Sequence, residues 1–145
     1  MAVILSAEQL AEIRLHAETA YPHEGCGLMG GASDGEARRV TRLVPVPNAR
    51  SDSPRNRYLI EPADFLRAQT TLDRDGLDVV GVYHSHPDHP ARPSEFDEEH
   101  AWPRLSYIIV IVARGAAGDA RSWVLADDRG GFNEEPITIE ERVAS

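Results

Sequence analysis

The chain has 145 residues, and 24 acidic against 15 basic side chains give it a net charge of -9 at pH 7. This balance argues against a nucleic-acid partner, because binding to phosphates requires a basic surface. A composition with 41% hydrophobic and 27% charged residues is typical of a globular protein, and we expect one domain over residues 1–145. With one cysteine and no apolar run of about 20 residues, the sequence predicts a cytoplasmic protein without internal disulfides or membrane association.

The first predicted element is a helix that begins after Ser6. Ser6 and Gln9 have the three-residue spacing of a capping box, in which each residue's side chain bonds to the other's main-chain amide. Ile13 and Ala17 belong to an apolar stripe at helical intervals, which indicates the face that the helix buries.

Two strands and a loop are predicted next. Residues 26–31 form a short apolar run before a glycine turn, and residues 40–46 form a second strand. Pro45 and Pro47 are expected to stop that strand, since proline cannot donate to a ladder. Residues 48–57 are rich in Ser, Pro, Asn and Arg, which indicates a loop.

The remaining elements alternate between helices and strands. A helix opens at Pro62 and turns Phe65, Ala68 and Leu72 inward. A short helix at residues 93–102 follows a strand that ends near His86, and turns are expected at 115–118 and 127–131. Further strands are predicted at residues 58–60, 77–86, 106–113, 122–125 and 137–139. This interleaving favours an α/β or α+β fold with a mixed central sheet flanked by helices.

The segment that carries chemistry contains two histidines at the end of a predicted strand. Side chains two apart on a strand share a face, so His84 and His86 can reach one point in space. A catalytic zinc ion usually takes three protein ligands and leaves a fourth position for water. Asp97, at the start of the next short helix, is well placed to supply the third ligand.

Asp97 and several other polar residues of the sequence also have ordinary structural interpretations. A Ser94-x-x-Asp97 pattern is a helix N-cap signature, with the carboxylate near the positive end of the helix. Glu24 lies in a predicted turn, where acidic side chains are mostly solvent-exposed. Cys26 has the features of a small buried residue rather than a nucleophile, and we expect His16, His23 and His100 on the surface.

Two zinc motifs overlap at the histidine pair. The string from His84 to His89 matches His-x-His-x-Asp-His, the signature of the metallo-β-lactamase fold. That fold requires further ligands downstream, and His100 is the one later histidine, so we interpret this match as accidental. Asp88 and His89 are then loop residues at the rim of a cleft.

The second motif fits the sequence in order, spacing and residue type. Seven residues separate His86 from Ser94, Asp97 follows after two more, and Glu24 precedes a Cys-Gly strand. The chain thereby resembles the JAMM (MPN-plus) zinc metalloproteases over roughly residues 1–125, in particular the small stand-alone prokaryotic members. The resemblance implies an MPN fold, which is similar to that of cytidine deaminase. A zinc deaminase itself would need several cysteines, which one cysteine excludes.

The resemblance also implies a role for each motif residue. His84, His86 and Asp97 would bind one zinc ion per chain, with a water as fourth ligand, and Glu24 would be the catalytic base. Ser94 would donate a hydrogen bond to the developing oxyanion, a role that competes with helix capping for the same hydroxyl.

A substrate class follows from the family as well. JAMM proteases cleave after the C-terminal glycine of ubiquitin or ubiquitin-like proteins, which implies a peptide, isopeptide or amino-acid adduct at the Gly-Gly tail of a ubiquitin-like or sulfur-carrier protein. A loop with Arg50, Arg55 and Arg57 is either a contact for an acidic carrier or an ordinary solvated loop. The alternative is a non-catalytic MPN scaffold, although such scaffolds have lost ligand residues and this chain retains them.

Overall fold

A computed structural model describes residues 2–48 and 60–140, with the side chain of Phe96 excepted. Within these residues the chain forms three helices and eight strands. The helices are α1 (Ala7–Ala20), α2 (Pro62–Arg74) and α3 (Glu95–His100). The strands are β1 (Ala2–Leu5), β2 (Cys26–Ser33), β3 (Ala37–Val46), β4 (Asp78–Pro87), β5 (Ser106–Ala113), β6 (Ala116–Leu125), β7 (Phe132–Glu135) and β8 (Ile137–Ile139).

The strands form one mixed sheet in the order β7-β6-β5-β4-β2-β3-β1-β8. The pairs β4–β5, β1–β3 and β1–β8 are parallel, and the other neighbours are antiparallel. The predicted α+β class, with a mixed central sheet and flanking helices, is confirmed. The likeness to cytidine deaminase stays a prediction.

A helix packs on each face of this sheet. Ile13 and Ala17 of α1 pack into one apolar cluster with Tyr83, and Ala68 and Leu72 of α2 pack into another. Val82, beside Tyr83 in β4, belongs to the second cluster, as expected when neighbouring side chains of a strand point to opposite faces. His84 and His86 follow Val82 at intervals of two residues, so their side chains point to the same face of the sheet, the one covered by α2.

The sheet curls until its two outermost strands meet. β7 and β8 stand at opposite ends of the strand order, yet Pro136 alone separates them in the chain. Inside the curl, Arg38 of β3 forms a buried ion pair with Glu135 of β7, with 3.7 Å between Nη1 and Oε1. Glu135 Oε2 also accepts a 2.7 Å hydrogen bond from Ser122 Oγ. Polar side chains therefore link the edge strand β7 to β3 across the α1 side of the sheet.

Several predicted boundaries are correct. Ser6 caps α1 in a full capping box with Gln9, and Pro62 opens α2. The buried strand at Ser106–Ala113 and the strand at Ile137–Ile139 lie where the sequence predicts them. Most of the loop at 48–57, including its three arginines, and most of the strand at 58–60 lie outside the described residues, and Ile60 itself is not in a strand.

Other expectations were wrong. β1 and β7 were not predicted, and β6 begins at Ala116, inside the segment interpreted as a turn. β3 ends at Val46 as predicted, with Pro45 inside it and Pro47 after it, but it begins at Ala37 and not at residue 40. The outer neighbour β1 pairs only with residues 37–39 of β3, so β1 requires no amide donor at Pro45. In the described part of the chain, no helix is both long and apolar enough to cross a bilayer.

Candidate metal centre

The pairing of β2 with β4 brings the distant motif residues together. These strands run antiparallel with Cys26 opposite His84, so Glu24, just before β2, reaches the end of β4 where His86 lies. Asp97 arrives from the first turn of α3. Glu24, His84, His86 and Asp97 are all buried, and each offers one ligand atom such that these atoms lie within 4.8 Å of one another. The structure therefore groups four of the five predicted site residues around one point.

Three of these ligand atoms converge closely. His84 Nε2 lies 3.2 Å from His86 Nε2, and Asp97 Oδ2 lies 3.3 Å and 3.0 Å from these two nitrogens. Two imidazole nitrogens and one carboxylate oxygen are a donor set that zinc takes in catalytic sites.

The hydrogen bond on the far side of His86 makes this position suitable for a cation. His86 Nδ1 lies 2.8 Å from the carbonyl oxygen of Pro90, and a carbonyl can only accept, so the proton of a neutral ring is on Nδ1. Its Nε2 then presents a lone pair to the carboxylate of Asp97, 3.0 Å away. A proton or a metal ion between these atoms removes the repulsion, and a ring nitrogen bonded to a carbonyl is the usual outer contact of a metal-bound histidine. The residues present fit a zinc ion.

The surroundings of the site shift the pKa values of its two carboxyl groups in opposite directions. Burial alone would raise the pKa of Asp97, but the imidazoles of His84 and His86 outweigh it and hold that pKa well below its usual range. Burial lowers the pKa of His84, partly opposed by the charge of Asp97. Burial, reinforced by the charge of Asp97, raises the pKa of Glu24 to about 9. One carboxylate is therefore anionic beside the histidines, while the other binds a proton readily, as acid–base catalysis requires.

Ser94 caps α3 and is not among the four clustered side chains. Its Oγ accepts a hydrogen bond from the Asp97 amide at 3.0 Å, and Asp97 Oδ2 accepts one from the Ser94 amide at 2.8 Å. That oxygen also faces both histidines, so the capping box orients the carboxylate. A hydroxyl has one proton besides its lone pairs. Capping uses a lone pair and leaves the proton of the Ser94 hydroxyl for donation, so the balance between the two roles stays a prediction.

A cleft of roughly 580 Å³ opens beside the cluster, between β4 and α3. It is lined by His86, His89, Pro90, Arg92, Pro93 and Ser94. His89 therefore lies at the cleft, as predicted for a rim residue. Asp88 accepts hydrogen bonds from Tyr21 Oη and the Arg114 amide. These two residues do not belong to the metal-binding group found among the described residues, which agrees with interpreting the His-x-His-x-Asp-His match as accidental.

Three polar side chains next to the site were not anticipated. Ser85 Oγ accepts a hydrogen bond from the Gly25 amide at 2.8 Å, and Asn48 Nδ2 donates to the Glu24 carbonyl at 3.1 Å. The expectation of a surface position for His16 was wrong: it is half-buried, with Nδ1 2.7 Å from Tyr83 Oη. Ser85 stands inside the motif, but no spacing rule indicates what it contacts.

Cys26 is fully buried on β2, in agreement with its interpretation as a packing residue. Burial, together with the nearby carboxyl groups of Glu24 and Asp64, raises the pKa of its thiol to about 12. Because the thiolate is the nucleophilic form of cysteine, this side chain is inert at neutral pH.

Comparison with known families agrees with this geometry. The family described as prokaryotic homologs of the JAB domain matches residues 6–126, which include every motif residue from Glu24 to Asp97. This chain belongs to that family. The resemblance of the sequence to the small prokaryotic members of the JAMM (MPN-plus) family is thereby confirmed.

Similar proteins support the assignment. A Thermus thermophilus protein named a probable TtuB-protein conjugate cleaving protease is 41% identical over 100 residues, which is 69% of this chain and 64% of that protein. The chain thus matches just under two thirds of that relative's length. A Haloferax volcanii desampylase is 40% identical over 120 residues, or 82% of this chain and 80% of the relative. A solution structure from Desulfitobacterium hafniense superimposes with a TM-score of 0.84 at 35% identity, covering 97% of this chain and 94% of that one.

Proposed function

We propose that this protein hydrolyses the bond that follows the Gly-Gly tail of a ubiquitin-like or sulfur-carrier protein, using one zinc ion per chain. The buried cluster of Glu24, His84, His86 and Asp97 is the observation that supports it. The relatives named as a conjugate cleaving protease and a desampylase support the substrate class.

In this proposal His84, His86 and Asp97 hold the zinc ion. When bound, zinc supplies a Lewis acid that polarises the scissile carbonyl and lowers the pKa of water from 15.7 to about 7. Glu24 accepts the proton of the attacking water and delivers it to the leaving amine as the carbon–nitrogen bond breaks. The products are the Gly-Gly carboxylate and a free amine, so proton and atoms balance.

Ser94 has the position of an oxyanion donor in this scheme. It lines the same cleft as His86, and capping leaves its hydroxyl proton available. A donor of this kind contributes about 100- to 1,000-fold to kcat in other hydrolases.

The test is cleavage of defined fusions. The purified protein is incubated with ubiquitin-like proteins whose Gly-Gly tail is joined to a peptide, to a lysine side chain or to a single amino acid, and the products are identified by mass spectrometry. We expect release of an intact Gly-Gly terminus, loss of release with a chelator and recovery with added zinc. If none of the fusions is cleaved after zinc loading, the proposal is contradicted and a scaffold role is favoured.

Metal content tests the site independently of substrate. Wild-type protein should contain about one zinc per chain, His84→Ala and Asp97→Ala should lose it, and Glu24→Gln should retain it while keeping only a small residual rate of cleavage. His23→Ala is the matched control, because His23 is exposed and outside the cluster. Zinc retention in both ligand variants would refute the ligand assignment.

A further inference from the structure

The carboxylate of Glu24 is held in the site without a hydrogen bond of its own. The residue is 2% exposed, and neither side-chain oxygen bonds to any of the described residues. A general base must lie within hydrogen-bond reach of the proton that it removes. The orientation of this carboxylate therefore depends on the position of its main chain, just before β2 begins.

Three hydrogen bonds fix that main chain. The Gly25 amide donates to Ser85 Oγ at 2.8 Å, the Ser85 amide donates to the Gly25 carbonyl at 3.0 Å, and Asn48 Nδ2 donates to the Glu24 carbonyl at 3.1 Å. The Glu24–Gly25 peptide group is therefore bound through both its amide and its carbonyl, and the next peptide group is bound through the Gly25 carbonyl. Ser85 is 1% exposed, so water does not replace its hydroxyl easily.

The bond from Gly25 departs from an ordinary antiparallel ladder. Residues paired in such a ladder exchange two bonds between their amides and carbonyls. Here the Gly25 amide donates to the side chain of Ser85 instead of the carbonyl. The ladder between β2 and β4 thus ends on a hydroxyl, one residue after Glu24 and between the two histidines.

We propose that Ser85 is a positioning residue that fixes Glu24 relative to the histidine pair by binding the Gly25 amide, and that Asn48 assists by binding the Glu24 carbonyl. This inference rests on the proposed role of Glu24 as catalytic base. Ser85 has its histidine neighbours on either side in β4, so one strand sets both the ligands and the base. The hydroxyl acts on the reaction through Glu24 and does not contact the substrate.

Removing the hydroxyl allows the Glu24–Gly25 segment to shift without disturbing the ligands. Misplacement of a catalytic group by about 1 Å costs on the order of 100-fold in rate. For Ser85→Ala we expect kcat to fall by about 10- to 100-fold, with KM and zinc content unchanged. Asn48→Ala should cause a smaller fall of the same kind. Ser85→Thr retains the hydroxyl and should restore kcat.

The amide of Gly25 gives a readout that needs no substrate. Hydrogen exchange of this amide, followed by NMR on the zinc-loaded protein, should accelerate at least tenfold in Ser85→Ala and stay slow in Ser85→Thr. Ser106→Ala is the matched control: it also removes a hydroxyl from a fully buried strand serine, but one that bonds to none of the described residues. It should change neither Gly25 exchange nor kcat.

A double variant separates positioning from general loss of structure. If Ser85 acts through Glu24, then Glu24→Gln/Ser85→Ala should be no slower than Glu24→Gln alone. Wild-type kcat in Ser85→Ala, or an equal loss in the Glu24→Gln background, would overturn the inference while leaving the proposed function intact. If Ser85→Ala does not fold, an unchanged kcat in Asn48→Ala overturns it. A wild-type protein that cleaves no fusion removes both proposals.

Discussion

At the scale of single residues, the site contains two carboxyl groups whose pKa values are shifted in opposite directions. Asp97 is stabilised as an anion by the two imidazoles, whereas Glu24 has only burial and a negative neighbour. Both lie in one cluster, so their surroundings distinguish ligand from base.

Glu24 is expected to destabilise the metal-free protein as the pH rises. Its pKa is raised from 4.5 to about 9 in the folded state, so the folded chain holds a proton that the unfolded chain releases between these values. The stability due to this proton is complete below about pH 4.5 and is lost as the pH approaches 9, with a slope of about 1.4 kcal/mol per pH unit.

Glu24→Gln removes this titration and nearly preserves the shape of the side chain. Thermal unfolding of chelator-treated protein should give a higher Tm for Glu24→Gln than for wild type at pH 7, and the gap should widen from pH 5 to pH 9. His84 and Asp97 titrate in both proteins, so the difference isolates Glu24. A gap that is constant with pH would contradict the raised pKa.

At the scale of elements, the short helix α3 depends on its first turn. It has six residues, and the capping box of Ser94 and Asp97 binds two of its unpaired amides. The Asp97 carboxylate that closes this box also faces the histidines, which couples the formation of the helix to the geometry of the cluster.

Ser94→Gly distinguishes capping from catalysis. Glycine at an N-cap costs only a few tenths of a kcal/mol, whereas alanine costs about 1 kcal/mol. We expect Ser94→Gly to unfold at nearly the wild-type temperature but to lose about 100-fold or more in kcat, as expected when an oxyanion donor is removed. Ser94→Thr should retain both properties. Near-normal turnover by Ser94→Gly would limit this serine to capping.

The elements also show how far sequence patterns predict this structure. Capping, proline and apolar periodicity identify α1, α2, β4 and β5, because local chemistry fixes these segments. β7 has the sequence Phe-Asn-Glu-Glu and no strand pattern of its own; it is ordered by pairing with β6. β1 is four residues long and also depends on its neighbours.

The same distinction applies to the site. Motif spacing identifies Glu24, Ser94 and the three expected ligands, since each contributes a characteristic side chain. The contacts of Ser85 and Asn48 run to main-chain atoms of residues 60 and 24 positions away. These contacts form because of the register of β2 with β3 and β4, and that register cannot be predicted from a local sequence pattern.

At the scale of the whole molecule, the ion pair of Arg38 and Glu135 links β3 to the edge strand β7, five places away in the strand order. Both side chains are at most 4% exposed. Removing one partner of a buried pair leaves an uncompensated charge and typically costs 3–5 kcal/mol. Glu135→Gln should therefore lower the free energy of unfolding by about 3 kcal/mol or more in urea titration.

An exposed ion pair on the same strand is the control. Arg39 pairs with Glu140, and both side chains are at least half exposed, so Glu140→Gln should change stability by less than about 0.5 kcal/mol. Arg38→Met/Glu135→Leu should be less destabilised than Glu135→Gln, because it buries no unpaired charge. Equal effects of the buried and exposed variants would exclude a role for this pair in closing the sheet.

The meeting of β7 and β8 across Pro136 also has a consequence for how the protein is made. β8 pairs with β1, so the sheet is complete only when residues from both ends of the described chain are present. A growing polypeptide exposes Glu24 through Asp97 long before residue 137 leaves the ribosome. The pairing closes a very long loop, whose entropic cost slows folding. β8, the last strand of the described residues, is therefore expected to complete the sheet only after the metal-binding residues have emerged.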